Sequence, residues 1–145
     1  MYFGTYSHSL DENGRLTIPA KFREFMLEQE QQPRVFLACG AEPCIVACSH
    51  GRVADVLKSV RESGITGGEV RDFKRFFGGE GALETWDKQG RIILPEGLKA
   101  YAGIGKETTI VGTMDCFEIW DAETFSRRRE GARSIYDKVA GKVIQ

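Results

Sequence analysis

Little in this sequence serves conventional catalysis. It has two histidines, His8 and His50, neither in a recognisable setting beside a Ser or Cys, so nucleophilic hydrolysis lacks a base. Glycine-rich phosphate loops of the P-loop or dinucleotide type are absent, which argues against nucleotide chemistry of those kinds. No apolar run approaches the roughly 18 residues of a membrane-spanning helix. The N-terminal stretch from Met1 to His8 has no basic region followed by an apolar core, so no secretory signal is read and a cytoplasmic protein is expected. There is also no excess of either charge: 20 basic residues face 21 acidic ones, a net of -1. The whole molecule therefore does not advertise itself to a polyanion, and any such role must rest on how the charges are distributed.

Cysteine is scarce as well. Cys39, Cys44, Cys48 and Cys116 would suggest disulfides only in a secreted context. The C-x4-C-x3-C spacing is not a standard zinc pattern even with the two histidines counted. Packing is the simpler use of these thiols, and neither a metal nor another cofactor is expected. What remains is globular: 145 residues, 41% hydrophobic and 28% charged. A chain of that size buries roughly 68–70% of its unfolded surface and needs no staples.

Against this background the chain says one thing twice. Asp11-Glu-Asn-Gly-Arg15-Leu-Thr-Ile-Pro19 returns as Asp87-Lys-Gln-Gly-Arg91-Ile-Ile-Leu-Pro95. In each copy an apolar residue, Leu10 or Trp86, leads into Asp, two polar residues and Gly, the composition of a tight turn with a positive φ at the glycine. Leu16 and Ile18, or Ile92 and Leu94, then alternate as a short half-buried strand, and Pro19 or Pro95 opens a helix. Asp and Arg four apart across the turn can lie on one side, where the carboxylate would fix the direction of the guanidinium. The same Arg keeps each Asp ionised, the wrong arrangement for a proton donor, so an Asp11/Asp87 acid–base pair is disfavoured and the chain is read as not an enzyme.

The match continues downstream once four extra residues in the first copy are allowed for. Strands are expected from Arg34 to Cys39 and from Cys44 to Cys48, then a helix capped by Ser49. In the second copy they run from Thr108 to Val111 and from Cys116 to Trp120, then a helix capped by Asp121. The unit is β-β-α-β-β followed by a helix. Residues 1–63 form the first repeat, 64–81 a linker with a basic amphipathic helix, and 82–145 the second repeat with a C-terminal helix. Gly64-Ile-Thr-Gly-Gly68 and Gly78-Gly79-Glu80-Gly81 are the hinge candidates.

The helices read first as scaffold. Val53, Val56, Leu57 and Val60 follow helical spacing, as do Val70, Phe73, Phe76 and Phe77, and core packing is the expectation for both faces. Arg71, Lys74 and Arg75 then form a solvated face. Arg127-Arg128-Arg129 point three ways around the last helix, at least one covering apolar surface with its stem. The stripe of Phe125, Ala132, Ile135, Tyr136, Val139 and Val143 reads as core, with a subunit contact as the other reading.

The sequence closely resembles the MraZ family of bacterial transcriptional regulators in the AbrB-like superfamily, over nearly its whole length. The likeness rests on Leu10-Asp11-x-x-Gly14-Arg15-Leu16-x-Ile18-Pro19 with Phe22-Arg23-Glu24, and on Arg71-x-x-x-Arg75. It continues through Asp87-x-x-Gly90-Arg91-Ile92-x-Leu94-Pro95, Tyr101-Ala-Gly103, Lys106-Glu107, Val111-Gly112 and Phe117-Glu118-Ile119-Trp120. Two departures stand out: Phe3 and Gly4 are adjacent where the family usually has an intervening Arg, and Trp86 is a bulky lead-in.

The resemblance implies an α+β fold of duplicated AbrB-like (SpoVT/AbrB) β-barrel units with pseudo-twofold symmetry plus packing helices. It implies a sequence-specific DNA-binding regulator of the division and cell-wall gene cluster, acting on its own promoter among others. Family members look like rings of identical chains, whose repeated turns meet short G-rich direct repeats in double-stranded DNA. Arg pairs bidentately with guanine O6 and N7, each pair giving roughly 1–3 kcal/mol of discrimination, and repetition around a ring multiplies single contacts. Nucleoid association follows. Arg15 and Arg91 are then the expected DNA contacts, with Asp11 and Asp87 as their orienters and Asn13, Lys88 and Gln89 as turn-tip candidates for phosphate. The alternative function is an AbrB-like oligomeric protein-interaction scaffold whose arginines meet acidic partners. A small enzyme or redox protein built around Cys39, Cys44 and Cys48 is the third reading.

Overall fold

The computed structural model describes residues 1–144. Its elements run β1 (Thr5–Ser9), β2 (Arg15–Thr17), α1 (Ala20–Glu30), β3 (Arg34–Cys39), β4 (Ile45–Cys48), α2 (Arg52–Glu62), α3 (Gly68–Gly79), β5 (Ala82–Thr85), β6 (Arg91–Ile93), α4 (Glu96–Ala102), β7 (Glu107–Gly112), β8 (Phe117–Asp121) and α5 (Ala122–Val143). This is a mixed α+β fold whose strands pair antiparallel. The order β-β-α-β-β-α occurs twice, with α3 inserted between the two runs. Pro19 and Pro95 stand as the N-caps of α1 and α4 with matching backbone (φ -51° and -57°, ψ 136° and 138°), because their fixed φ suits a helix start and their missing N–H is not needed there.

The two runs are interlocked. The main sheet has the order β1-β7-β8-β4-β3-β5, and β2 pairs with β6 in a separate ribbon. β1 belongs to the first run yet pairs with β7 of the second, Thr5 opposite Val111. β5 belongs to the second and pairs with β3 of the first, Arg34 opposite Thr85. In the ribbon, Leu16 lies opposite Ile92, with Arg15 opposite Ile93 and Thr17 opposite Arg91. The register is thus symmetric about the Leu16–Ile92 pair, a local twofold.

The core is likewise shared. Leu16, Ile18, Ile92 and Leu94 of the ribbon are buried with Phe22, Met26, Val35, Leu37, Ile45, Leu98, Ile110, Phe117 and Ile119. Tyr2 joins them, its ring 5.3 Å from both Phe22 and Phe117. Burying each such side chain contributes roughly 1.5–3 kcal/mol, so the alternation that shapes the turns also anchors them.

Three expectations about helices are corrected. The helix after β4 starts at Arg52 with Gly51 as N-cap and no side-chain cap. Ser49 is buried and accepts Arg52 N–H through its main-chain carbonyl, while Glu30 Oε1 accepts His50 N–H at 2.7 Å. A turn therefore stands where the cap was expected. Asp121 does cap α5, its carboxylate accepting Thr124 N–H at 3.2 Å. The apolar faces of α2 and α3 are not core: no residue of either helix is buried, and Phe73 and Phe76 are exposed. The stripe on α5 is not core either, since Ile135, Tyr136, Val139 and Val143 are all exposed.

Candidate functional site

One Asp-x-x-Gly-Arg turn leads into each end of the short antiparallel β2–β6 ribbon, and the two are built in the same way. Asp11 Oδ1 accepts the backbone N–H groups of Asn13 and Arg15, both at 2.9 Å, and Asp11 Oδ2 accepts Arg15 Nε at 2.8 Å. Asp87 repeats this with Gln89 N–H (2.9 Å), Arg91 N–H (3.0 Å) and Arg91 Nε (2.9 Å). Asp is the residue that does both jobs, because its short carboxylate turns back on its own backbone and still reaches the guanidinium. The glycine of each turn has positive φ, 73° at Gly14 and 79° at Gly90, which sets the angle at which Arg leaves the turn.

The pairs also meet each other. Arg15 Nη1 lies 3.9 Å from Asp87 Oδ2, and Arg91 Nη1 lies 3.8 Å from Asp11 Oδ2. Two guanidinium groups and two carboxylates thus alternate across the local twofold. The ribbon's non-local pairing creates this juxtaposition, which the spacing within each repeat does not reveal. Backbone N–H groups, that of Arg15 first for Asp11 and that of Arg91 first for Asp87, hold both carboxyls below the usual carboxylate range. The carboxylates are ionised acceptors at neutral pH, suited to orienting cations and not to giving up protons.

Each Nε is committed to its own Asp and each Nη1 faces the other carboxylate, while both guanidinium side chains stay partly exposed. Two parallel N–H donors on one planar end match a pair of acceptors on a base edge or phosphate. Asn13, Lys88 and Gln89 are exposed at the turn tips, as expected. Gln89 does more than stand there, because its Oε1 accepts from Arg91 Nη2.

Further basic residues flank the turns. Lys99 and Lys106 line a hollow with Leu10, Asp11, Glu12 and Gly14. Arg23 donates from Nε to Ile18 O at 2.9 Å and packs against Gly90. Sequence reasoning gives these residues no role, although Arg23 and Lys99 stand at equal distances beyond Asp11 and Asp87 and could have been matched as a pair.

The other sequence candidates lie elsewhere. Arg71, Lys74 and Arg75 are on α3, where Arg75 pairs with Asp72 at 3.0 Å. Arg127 pairs with Glu123, while Arg128 lies over the Trp120 ring at 5.6 Å and pairs with Glu42, which is the stem-covering use expected of one arginine in the run. The cysteines are free thiols. Burial pushes Cys44 and Cys48 each up to about 12, the reverse of what a reactive thiolate needs. Among the described residues no group of three His, Cys, Asp or Glu side chains is placed to hold a metal ion, and no helix is long and apolar enough to cross a membrane.

A family model described as "MraZ protein, putative antitoxin-like" matches residues 1–75 and again residues 76–136. The chain belongs to the MraZ family. A protein of Syntrophomonas wolfei named "Transcriptional regulator MraZ" is 38% identical over 144 residues, covering 99% of this chain and 97% of its own. Relatives of the same name in Acetivibrio thermocellus (37%, 97% of each chain) and Arthrobacter sp. (39%, covering 87% and 85%) agree along most of their length. These MraZ relatives are named as regulators and not as enzymes. The double family match divides the chain between the two turns, so each segment carries one Asp/Arg pair.

Proposed function

We propose that this chain is a sequence-specific DNA-binding transcriptional regulator, and that the facing Asp11/Arg15 and Asp87/Arg91 turns are its reading heads. The observation that carries this is the four-charge cluster. Two partly exposed arginines have their Nε atoms tied down by ionised carboxylates and their Nη1 atoms close to the facing carboxylate, on a ribbon anchored in the core. Donors fixed in this way suit guanine O6 and N7 in a major groove. Asn13, Lys88 and Gln89, with Lys99 and Lys106 near the first turn, are the candidates to meet phosphate and set register. In this reading the repeats, 1–63 and 82–145 joined through 64–81, are AbrB-like barrel units related by the ribbon's twofold. The targets are short G-rich direct repeats in promoters of the division and cell-wall gene cluster, the chain's own promoter included, and the protein is cytoplasmic and associated with the nucleoid.

One pair of turns per chain gives too few contacts for specific affinity in a molecule of net charge -1, so the reading includes a ring of identical chains whose linked contacts multiply. Surfaces for such assembly are present. An open apolar groove between α2 and α3 is lined by Val56, Val60, Ile65, Val70 and Phe73, and α5 carries an exposed stripe.

The test is binding of the purified protein to a labelled duplex from upstream of its own coding sequence, against a scrambled duplex, across a salt series. Arg15→Ala and Arg91→Ala are measured alongside. Selective, salt-dependent binding lost in either variant, with fold and assembly intact, supports the regulator. Equal weak binding to both duplexes, unchanged by the substitutions, overturns it in favour of a protein-interaction scaffold.

A further inference from the structure

The two turns share one backbone pattern but have different supports. Behind the second turn, Arg23 of α1 donates from Nε to Ile18 O at 2.9 Å, and Ile18 N–H in turn donates to Gly90 O at 2.9 Å. The Arg23 guanidinium also fills the space beside Gly90, so completely that a Cβ on Gly90 would overlap it. Gly90 is buried. Behind the first turn the corresponding bond, Leu94 N–H to Gly14 O, is longer at 3.3 Å. A Cβ on Gly14 would meet no atom within 4 Å, and Gly14 is only partly buried. The residue equivalent to Arg23 is Lys99, whose Nζ lies 3.7 Å from Glu96. An ammonium lacks the flat donor-bearing face with which a guanidinium can both bond a carbonyl and pack beneath a turn.

From this we infer that Arg23 is a positioning residue for Arg91: a clamp donated by the first repeat that fixes the reading turn of the second, while the Asp11–Arg15 turn has no such clamp. Arg23 acts through Ile18 and Gly90 and does not itself take a base. Gln89 adds to the same end by accepting from Arg91 Nη2. Among the described residues Arg15 Nη2 has no such bond: Asn13, one methylene shorter than Gln89, does not reach it. Both arginines are directed by their carboxylates, and the clamped one is held in addition through its turn; preorganisation of that kind lowers the cost of binding. The two heads of one chain are then unequal, one rigid and one adaptable. This inference rests on the regulator reading for its consequence on DNA, but the clamp itself is a property of the free protein.

The experiment has two arms on the full chain. Without DNA, amide hydrogen exchange is followed in wild type, Arg23→Ala and Arg23→Lys, with thermal unfolding as a control for fold. Arg23→Ala and Arg23→Lys are expected to speed exchange at Gly90 and Arg91, roughly tenfold or more as local opening becomes easier, and to leave Gly14 and Arg15 unchanged. Equal acceleration at both turns, or none, overturns the clamp.

With the labelled upstream duplex, Arg23→Ala is combined with Arg91→Ala and with Arg15→Ala. Roughly tenfold weaker specific binding is expected for Arg23→Ala alone, comparable to one good base contact. No further loss is expected on top of Arg91→Ala, and the full loss is expected on top of Arg15→Ala. The salt slope stays the same, and Arg23→Lys fails to rescue. Losses that add in both backgrounds, with a slope smaller by about one, would make Arg23 a phosphate contact and overturn the inference. Failure of wild type to prefer its duplex would instead sink the regulator reading, and the exchange arm would still decide the clamp.

Discussion

The Asp11–Arg15 and Asp87–Arg91 turns have the same carboxylate geometry to within 0.1 Å, yet one rests against a guanidinium and the other against open space. Duplication fixes what is local to each copy, namely the Asx-type bonds, the positive-φ glycine and the proline that follows. It leaves free what the neighbouring element supplies from behind. Arg23 and Lys99 occupy matching places in α1 and α4, and that single difference in cation shape separates a held turn from a loose one. A pseudo-symmetric molecule can thus present two similar chemical heads with different mechanical properties.

The largest expected effect tests the heads themselves. Removing either guanidinium should cost roughly 1–3 kcal/mol of discrimination per contact, and Arg91→Ala should cost more than Arg15→Ala because the clamped group is the better organised; fluorescence anisotropy on the upstream duplex decides the order. Next in size is the pair of glycine substitutions. Gly14→Ala should lose about 1–2 kcal/mol to left-handed backbone strain, a fall of roughly 2–8 °C in melting temperature for a chain of this size. Gly90→Ala should lose more because Arg23 must also move. Equal losses by calorimetry would erase the distinction between the turns.

A finer comparison comes from the tips. Gln89→Ala removes one exposed hydrogen bond to Arg91, worth about 0.5–1.5 kcal/mol at most, and should quicken dissociation from DNA more than Asn13→Ala, which removes no such tether; Asn13→Gln asks whether the first turn can acquire one. Smallest at neutral pH is the proton linkage. Both Asp pKa values are lowered by folding, so their stabilisation is complete above the ordinary carboxylate range of about 4. It is lost only as pH falls through the lowered values. Unfolding curves should therefore show no contribution from these groups between pH 8 and 5. Asp11→Asn and Asp87→Asn should flatten the acid limb by similar amounts, since the two carboxylates are held alike.

Much of this was legible in the sequence because it is local. The Asp/Arg pairs lie four residues apart across a turn, the prolines precede helices and the Leu/Ile alternation marks the ribbon, so each reads from its own neighbourhood. The pairing of β2 with β6 is non-local, and with it the cross-contacts at 3.8 and 3.9 Å. Arg23 escaped because its work is done on a glycine from the other repeat. The apolar spacing of α2, α3 and α5 correctly gave helices but wrongly suggested burial within the chain. Periodicity shows that a face is apolar without saying whether the same molecule covers it, and Ile135 and Val143 remain 65% and 71% exposed.

The exchange of strands between the runs also governs when this surface can exist. Ser9 pairs with Glu107 and Thr5 with Val111, so β1 must wait about a hundred residues for its partner, and β2 must wait for β6. Long-range closure of this kind is slow compared with local helix formation. Until synthesis passes β6, the nascent chain has the first Asp/Arg turn without its mate, and until it passes β8 it has no finished sheet to hold either. The paired surface thus arises only on chains translated well beyond their midpoint, so a prematurely terminated product would not compete for whatever the finished surface recognises.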